Sequence, residues 1–313
     1  MNGGVSPTAE RLGCETALVA NRGRPIDRTT QAWVRATGRK IDLAHEAWLD
    51  GPVGQTESIN TTWLADEAAR LGGTMSSRPD QGLLSEFGTL DRDGFASVDL
   101  HPLIVDFYEH TRRWQMDVWS QWSPTFVPGA WLLMSVFARR LQQFSLPLSP
   151  LEVSHGMDSE VTQIVSPTGE VLGSAWQRTL RLTGQTVYGG WYGTVTLPGQ
   201  QWRTVRVVFP LPNGSLQVFL RPDIVDGNAL RLTSGRGRFG EEGAYLVVTA
   251  ADGSAVARRI PITETFTVFV DDDGVLRTDH ELRLWSARVL RLHYRLQPRR
   301  APDHDSERAT RAD

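Results

Sequence analysis

The fold is decided by residues 187–220, which read VYGGWYGTVTLPGQQWRTVRVVFPLPNGSLQVFL. The first part alternates large aromatic residues with glycines, and a period of two along the chain indicates a β-strand. Glycines inside a strand usually mark a bulge or a bend of the sheet. Further along, Pro212-Asn213-Gly214 separates two apolar runs, and Asn-Gly supplies the positive φ that a tight hairpin requires. The stretch therefore predicts a curved antiparallel sheet with a hairpin tip at Asn213-Gly214.

The same pattern continues from about Val161 to Leu296. Gly, Asn, Asp and Pro turns separate about ten strands at a spacing of roughly 8 to 15 residues, which is typical of a sandwich or a barrel. We expect the α+β class, with an N-terminal helical segment packed on a large antiparallel β-barrel or strongly curved sheet. The strand pattern is lipocalin-like by analogy of fold alone, so it carries no functional residues with it.

Three helices are predicted before the sheet. The first runs from Thr61 to Leu71 and is stopped by two glycines. The second runs from Asp99 to about Trp122, with a proline in its first turn. The third covers about residues 128–145 and has an unusually wide apolar surface. We expect it to be buried against or across the mouth of the sheet.

The organisation along the chain follows from these elements. Residues 1–30 are polar and poorly periodic, and the charged tail 298–313 lacks a hydrophobic face, so we expect disorder at both ends. Between them we expect a helical and loop region over 31–150 and an antiparallel β-domain over 151–297.

Composition excludes several classes of protein. A net charge of −3 argues against a strong grip on nucleic acid. The single Cys14 excludes an internal disulfide framework and a cysteine-based zinc site. Residues 1–19 lack the apolar segment of a secretion signal, and the apolar run 129–134 is too short to span a membrane. We therefore expect a cytoplasmic protein with no transmembrane segment and no nucleic-acid partner.

Two polar motifs resemble a cofactor-binding and a metal-binding sequence, but their context supports neither function. The run Gly235–Gly240 matches G-x-G-x-x-G, but it joins two predicted antiparallel strands instead of a strand and a helix. Its Arg236 and Arg238 remain candidates for contacting a phosphate or carboxylate. The run Asp271–Gly274 has the spacing of a hairpin turn and lacks that of a calcium loop. We expect no cofactor and no metal.

Acidic residues and a histidine give weaker candidates for chemistry. Asp158 and Glu160 lie where the chain enters the first strand of the β region, and with Tyr192 they could act as acid or base. In Asp279-His280-Glu281 the two carboxylates share one face of a strand and the histidine lies on the other, so only one set can face the interior.

The aromatic residues of the β region give the main functional hypothesis. They either form the core of a large sheet or line an apolar cavity for a lipophilic ligand. The candidates for ligand contact are Trp176, Tyr188, Trp191 and Phe209.

Several strings resemble uncharacterised actinobacterial proteins: FYEHT at 107–111, VWSQW at 118–122, FPLPNG at 209–214 and DDGVLRTDH at 272–280. The resemblance covers about residues 95–296 and implies no activity.

We therefore hypothesise a β-rich cavity for a hydrophobic small molecule such as a lipid, polyketide or terpenoid. An enzyme of this kind would catalyse a cofactor-independent cyclisation, isomerisation or hydration in secondary metabolism. Two alternatives use the helix 128–145 instead: a non-catalytic interaction protein with a protein partner or a homodimer, and a peripheral membrane protein.

Overall fold

A computed structural model describes residues 25–54, 62–122, 157–182, 184, 186–250 and 252–299. The predicted helix 128–145 lies outside the described residues. So do 1–24 and 300–313, which make up most of the two ends for which disorder is predicted.

The described chain contains three α-helices and fourteen strands. The helices are α1 Pro25–Thr37, α2 Thr62–Arg70 and α3 Pro102–Glu109, with short 3-10 turns at Ala47–Leu49, Phe87–Leu90, Ser97–Asp99 and Thr111–Arg113. The strands are β1 Arg39–Ile41, β2 Thr74–Ser76, β3 Trp114–Trp122, β4 Met157–Val165, β5 Val171–Leu180, β6 Thr186–Thr196, β7 Arg203–Leu211, β8 Gly214–Val225, β9 Ala229–Thr233, β10 Gly243–Thr249, β11 Ala255–Ile260, β12 Ile262–Val270, β13 Leu276–Leu284 and β14 Ala287–Pro298.

The strands form one large antiparallel sheet. Its hydrogen-bonded order is β2-β4-β5-β6-β7-β8-β9-β12-β13-β14-β3, and a branch of β10, β11 and β1 leaves from β8. The expected α+β class with a large antiparallel sheet is confirmed. The expected barrel is wrong, because the path begins at β2 and ends at β3, and no strand pairing within the described ranges joins these two ends.

The long strand β8 makes the sheet bend. Its first half, Gly214 to Phe219, pairs with β10, whereas its second half, Arg221 to Val225, pairs with β9. Two parts of the sheet therefore share β8, and the sheet bends at this strand. The turn produces a concave face on which the largest hydrophobic cluster lies.

The hairpin predicted around Asn213-Gly214 is confirmed. Leu211 of β7 pairs with Gly214 of β8, and Asn213 between them adopts the positive φ of 56°. The predicted helix Thr61–Leu71 is also confirmed as α2, which spans Thr62–Arg70.

The helix predicted from Asp99 to Trp122 is wrong beyond its first half. Helix α3 ends at Glu109, and Trp114–Trp122 is the strand β3 at the edge of the sheet. Its residues Met116 and Val118 pair with β14, opposite Leu296 and Tyr294. The apolar residues of this short segment fit the two-residue period of a strand as well as the spacing of a helix, so the sequence alone does not decide between them. The pairing with β14 makes the segment a strand.

The convex face is covered by the N-terminal part of the described chain. Helix α2 packs Trp63 and Leu64 against Trp191 and Val208 of the sheet. Residues near the turn Ala47–Leu49 cover a second patch. The sheet is therefore covered on this face, while helix α3 and the residues before it pack on the concave face.

Candidate ligand-binding site

A cavity lies on the concave face of the sheet, against α3. Phe107 and Tyr108 of α3 and Leu83 border it from one side, and side chains from nine strands border it elsewhere. The cavity has a volume of about 100 Å³. A cavity of this volume suits a compact apolar group, on the order of one ring or a short alkyl segment.

The lining follows the two-residue period of the strands. On β5 it consists of Trp176 and Arg178, on β12 of Glu264 and Phe266, and on β13 of Thr278 and His280. Successive side chains of a strand point to opposite faces, so residues two apart reach the same cavity. Most of the other lining residues are aliphatic or aromatic, as is usual for a small-molecule site.

Two tyrosine hydroxyls meet at the wall formed by β6. Tyr188 and Tyr192 are hydrogen-bonded to each other across Gly190. A Cβ at Gly190 would lie 3.0 Å from the Tyr188 hydroxyl and 3.3 Å from Phe209, so the glycine leaves room for the pair. Burial raises the pKa of both tyrosines, while the nearby charge of Arg178 acts in the opposite direction. The pair therefore consists of neutral hydroxyls at neutral pH.

Arg178 brings a positive charge into this apolar site. The residue is only 8% exposed, and its guanidinium carbon lies 3.8 Å from the ring centroid of Trp176, 4.7 Å from that of Tyr188 and 5.7 Å from that of Tyr294. Its Nε makes no hydrogen bond. Within the described ranges, no Asp or Glu oxygen lies within 4.0 Å of its guanidinium nitrogens.

The aromatic rings offset only part of the cost of burying Arg178. Taking an ion out of water costs several kcal/mol even after the protein relaxes. A cation–π contact contributes about 0.5 to 2 kcal/mol. The rings can stabilise the charge, but they give Nε no hydrogen-bond acceptor. Arg178 is therefore equipped for an anion that the described residues do not supply.

Glu264 and His280 form a buried acidic and basic pair in the lining of the cavity. Oε2 of Glu264 lies 3.3 Å from Nε2 of His280, and both side chains are less than 10% exposed. The imidazole stacks on Phe266 with 3.8 Å between ring centroids. Neither of its ring nitrogens has a well-aligned hydrogen bond with the described residues. A carboxylate beside an imidazole can exchange protons with a group bound next to it.

Four of the residues singled out from the sequence meet at this cavity. Trp176, Tyr188, Tyr192 and Phe209 all border it. Trp191 lies on the opposite face of β6, where its indole packs edge-on against Trp63 at 6.4 Å between ring centroids. Neighbouring residues of one strand cannot share a face, so Trp191 and Tyr192 are separated by the sheet.

The other predicted residues lie away from the cavity. Asp158 and Glu160 are exposed on β4, and Asp158 forms an ion pair of 2.8 Å with Arg181. Arg236 donates to the carbonyl of Trp285 at the surface. Arg238 is exposed, and its backbone N–H donates to Glu241. The structure does not bring these four residues together with the tyrosines.

Sequence reasoning missed the polar side of the site, although a signal was present. Arg178 is two residues from Trp176 on the same strand, so its place on the aromatic face follows from the period of two. His280 does face the interior, while Asp279 and Glu281 of the same strand bind arginines on the other face. The position of Glu264 depended on the pairing of β12 with β13, which the sequence does not reveal.

Metal ligands do not gather at this site. Over the described ranges, no group of three or more His, Cys, Asp or Glu side chains has an arrangement that could hold a metal ion.

Comparison with curated proteins finds a relative of this chain. The chain is 30% identical over 216 residues to the uncharacterized membrane protein YndJ of Bacillus subtilis (strain 168). The aligned region covers 68% of this chain and 37% of the relative. The chain thus spans less than half the length of that protein. No family model matches the chain, and no solved structure matches it. The expected resemblance to proteins without an assigned activity is confirmed.

The same comparison corrects the expected location. We expected a cytoplasmic protein, and this is wrong, because the relative is named a membrane protein. In the part of the chain that the structure describes, no helix is both long and apolar enough to cross a membrane, which agrees with the sequence.

Proposed function

We propose that this protein binds a hydrophobic small molecule, such as a lipid, polyketide or terpenoid, in the cavity on the concave face of the sheet. The observation that carries the proposal is the unfilled space among side chains from nine strands. Protein interiors are normally packed as densely as organic crystals, so a face that served only as core would be filled. The concave face instead keeps a space bordered mainly by apolar groups.

The polar residues of the cavity support a ligand with a defined orientation. Small-molecule sites combine apolar walls with a few polar groups that fix how the ligand lies. Here those groups form two sets of neighbours: Arg178 beside Tyr188, and Glu264 beside His280. A ligand that places its polar atoms at these two positions would be held in one orientation.

We further propose a second possibility, that the protein transforms its ligand without a cofactor. The Glu264–His280 pair favours it, because a carboxylate 3.3 Å from an imidazole inside an apolar cavity can act as general base and acid. Cyclisation, isomerisation or hydration would each need only substrate shaping and one such pair. Under this proposal Glu264 and His280 replace the exposed Asp158 and Glu160 as the acid–base candidates.

A membrane setting fits the binding proposal. The relative is named a membrane protein, and a domain that accompanies a membrane has ready access to lipophilic molecules. The alternative of a partner or membrane contact through residues 128–145 rests on residues outside the described part and stays a prediction.

Blocking the cavity tests the binding proposal. Val118→Trp on β3 fills the cavity from its edge, whereas Gln121→Trp adds the same side chain at an exposed position of the same strand. We expect octanol, a neutral probe, to raise the melting temperature of the parent and of Gln121→Trp, and to leave that of Val118→Trp unchanged. Equal responses of the two variants would contradict a site in this cavity.

A further inference from the structure

Hydrophobic binding alone does not require a buried arginine such as Arg178 in the cavity. An aliphatic residue on β5 would have filled the same place without the cost of burying a charge. Instead the guanidinium lies within 6 Å of three aromatic ring centroids, and its Nε is buried without a hydrogen bond. The side chain is 92% buried, since its exposed fraction is 8%, and it borders the cavity.

Among the described residues that line the cavity, Glu264 is the acidic one, and its carboxylate lies next to another side chain. Its carboxylate lies 3.3 Å from His280, and it makes no ion pair with Arg178 within the described residues. The remaining polar groups beside Arg178 are the hydroxyls of Tyr188, Tyr192 and Tyr294. These hydroxyls stay protonated when buried, so they can donate hydrogen bonds but do not neutralise the guanidinium.

We propose that Arg178 binds the anionic head group, a carboxylate or a phosphate, of an amphiphile whose apolar part occupies the rest of the cavity. The inference rests on the proposed function, because it assigns the ligand class of the same site. A guanidinium offers two parallel N–H groups that match the two oxygens of such an anion. The hydroxyl of Tyr294, whose ring lies next to the guanidinium, can donate to the same oxygens.

This arrangement also sets a specificity. An anion gains a full charge partner inside a medium of low dielectric constant, where charge-assisted hydrogen bonds are strong. A neutral alcohol would leave Arg178 without a counter-ion, and an ammonium group would be repelled by it. The expected order of affinity is therefore anion, then alcohol, then amine.

Four probes with the same eight-carbon chain test the order: octanoate, octyl phosphate, octanol and octylamine. Isothermal titration of the full chain should give at least one of the two anions an affinity about tenfold or more above that of octanol, since hydrogen bonds to charged groups are the strong ones. The ratio of octanoate to octyl phosphate then distinguishes a fatty-acid-like ligand from a phospholipid-like one.

The variants locate the effect at Arg178. Arg178→Met should abolish the preference for the anions over octanol, and Arg178→Lys should retain part of it. Arg181→Met is the matched control, because Arg181 follows the same strand and is half exposed in an ion pair with Asp158. It should bind all four probes as the parent does.

The outcomes separate this inference from the proposal on which it rests. If octanol binds and both anions bind no more tightly, Arg178 does not recognise a head group and the inference fails alone. The same holds if the preference survives in Arg178→Met, or if Arg181→Met loses it as completely as Arg178→Met does. If none of the four probes binds, the cavity proposal fails and the inference fails with it.

Discussion

Replacing Trp191 and its neighbour Tyr192 tests the assignment of the two faces of β6. Trp191 is 4% exposed and packs with Trp63, Ile164 and Val208 on the convex face. A buried tryptophan removes about 150 to 250 Å² from water, which at about 25 cal/mol per Å² corresponds to roughly 4 to 6 kcal/mol. Trp→Ala substitutions in cores cost about 3 to 5 kcal/mol, so Trp191→Ala should destabilise the protein by that amount.

The substitution at Tyr192 should behave differently. Tyr192→Phe keeps the ring and removes the hydroxyl that contacts Tyr188 at the cavity wall. The loss of one hydrogen bond should cost about 0.5 to 1.5 kcal/mol of stability. Because the hydroxyl faces the ligand space, we expect weaker binding of octanoate. Trp191→Ala should leave that affinity unchanged, since its side chain lies on the other side of the sheet.

Urea denaturation measures the free energy of unfolding, thermal melting measures the melting temperature, and titration measures the affinity for octanoate. For a folded unit of this size, about 2 to 4 °C of melting temperature is lost per kcal/mol, so Trp191→Ala should melt roughly 6 to 20 °C lower. A folded Trp191→Ala that loses less than about 1 kcal/mol, or that no longer binds octanoate, would refute the placement of Trp191 and Tyr192 on opposite faces.

Three further predictions follow from the packing and the charges. Gly173→Val should lower the free energy of unfolding by about 3 kcal/mol or more in urea denaturation, because a Cβ there would lie 2.1 Å from the Trp191 indole. The control Gly193→Ala has open space around its Cβ and should change the free energy of unfolding by less than about 1 kcal/mol. Similar losses in the two variants would contradict this packing. Burial raises the pKa of all five tyrosines, so the unfolded chain releases these protons at lower pH than the folded protein does. The free energy of unfolding should therefore fall as pH rises above about 10, and tyrosinate absorbance should rise only on unfolding. Tyrosinate absorbance that rises while the protein is still folded would contradict the burial. Asp158→Asn should change the free energy of unfolding by less than about 1 kcal/mol, because the ion pair of Asp158 with Arg181 is exposed to solvent. The affinity for octanoate should stay the same. A loss of octanoate binding would show that the site extends to β4.

The strands of the β region could be predicted from the sequence because their signals are local. The hairpin at Asn213 needs only a positive φ between two apolar runs, and both are visible in a few residues. The length of β8 is less evident from the sequence, because a proline such as Pro222 usually lies at an edge or an end of a strand. In the folded chain β8 continues through Pro222, which pairs with Leu232 of β9.

What could not be predicted depends on contacts between distant parts of the chain. Strand β3 is a strand because β14, more than 160 residues later, supplies its hydrogen-bonding partner. The open sheet, in place of a barrel, follows from the fork at β8 and from the order of strands, which the sequence does not encode locally. The meeting of Arg178 with Tyr294 likewise requires the sheet to curve until β5 and β14 approach each other.

The position of a bound ligand tests the central claim most directly. The measurement is photolabelling of the full chain with an octanoic acid that carries a diazirine on its alkyl chain, followed by peptide mass spectrometry. We expect the labels on residues that border the cavity, such as Trp176, Tyr192 and Phe266, with excess octanoate suppressing them. Labels confined to surface aromatic residues such as Trp285, which is 66% exposed, and insensitive to octanoate would contradict the account.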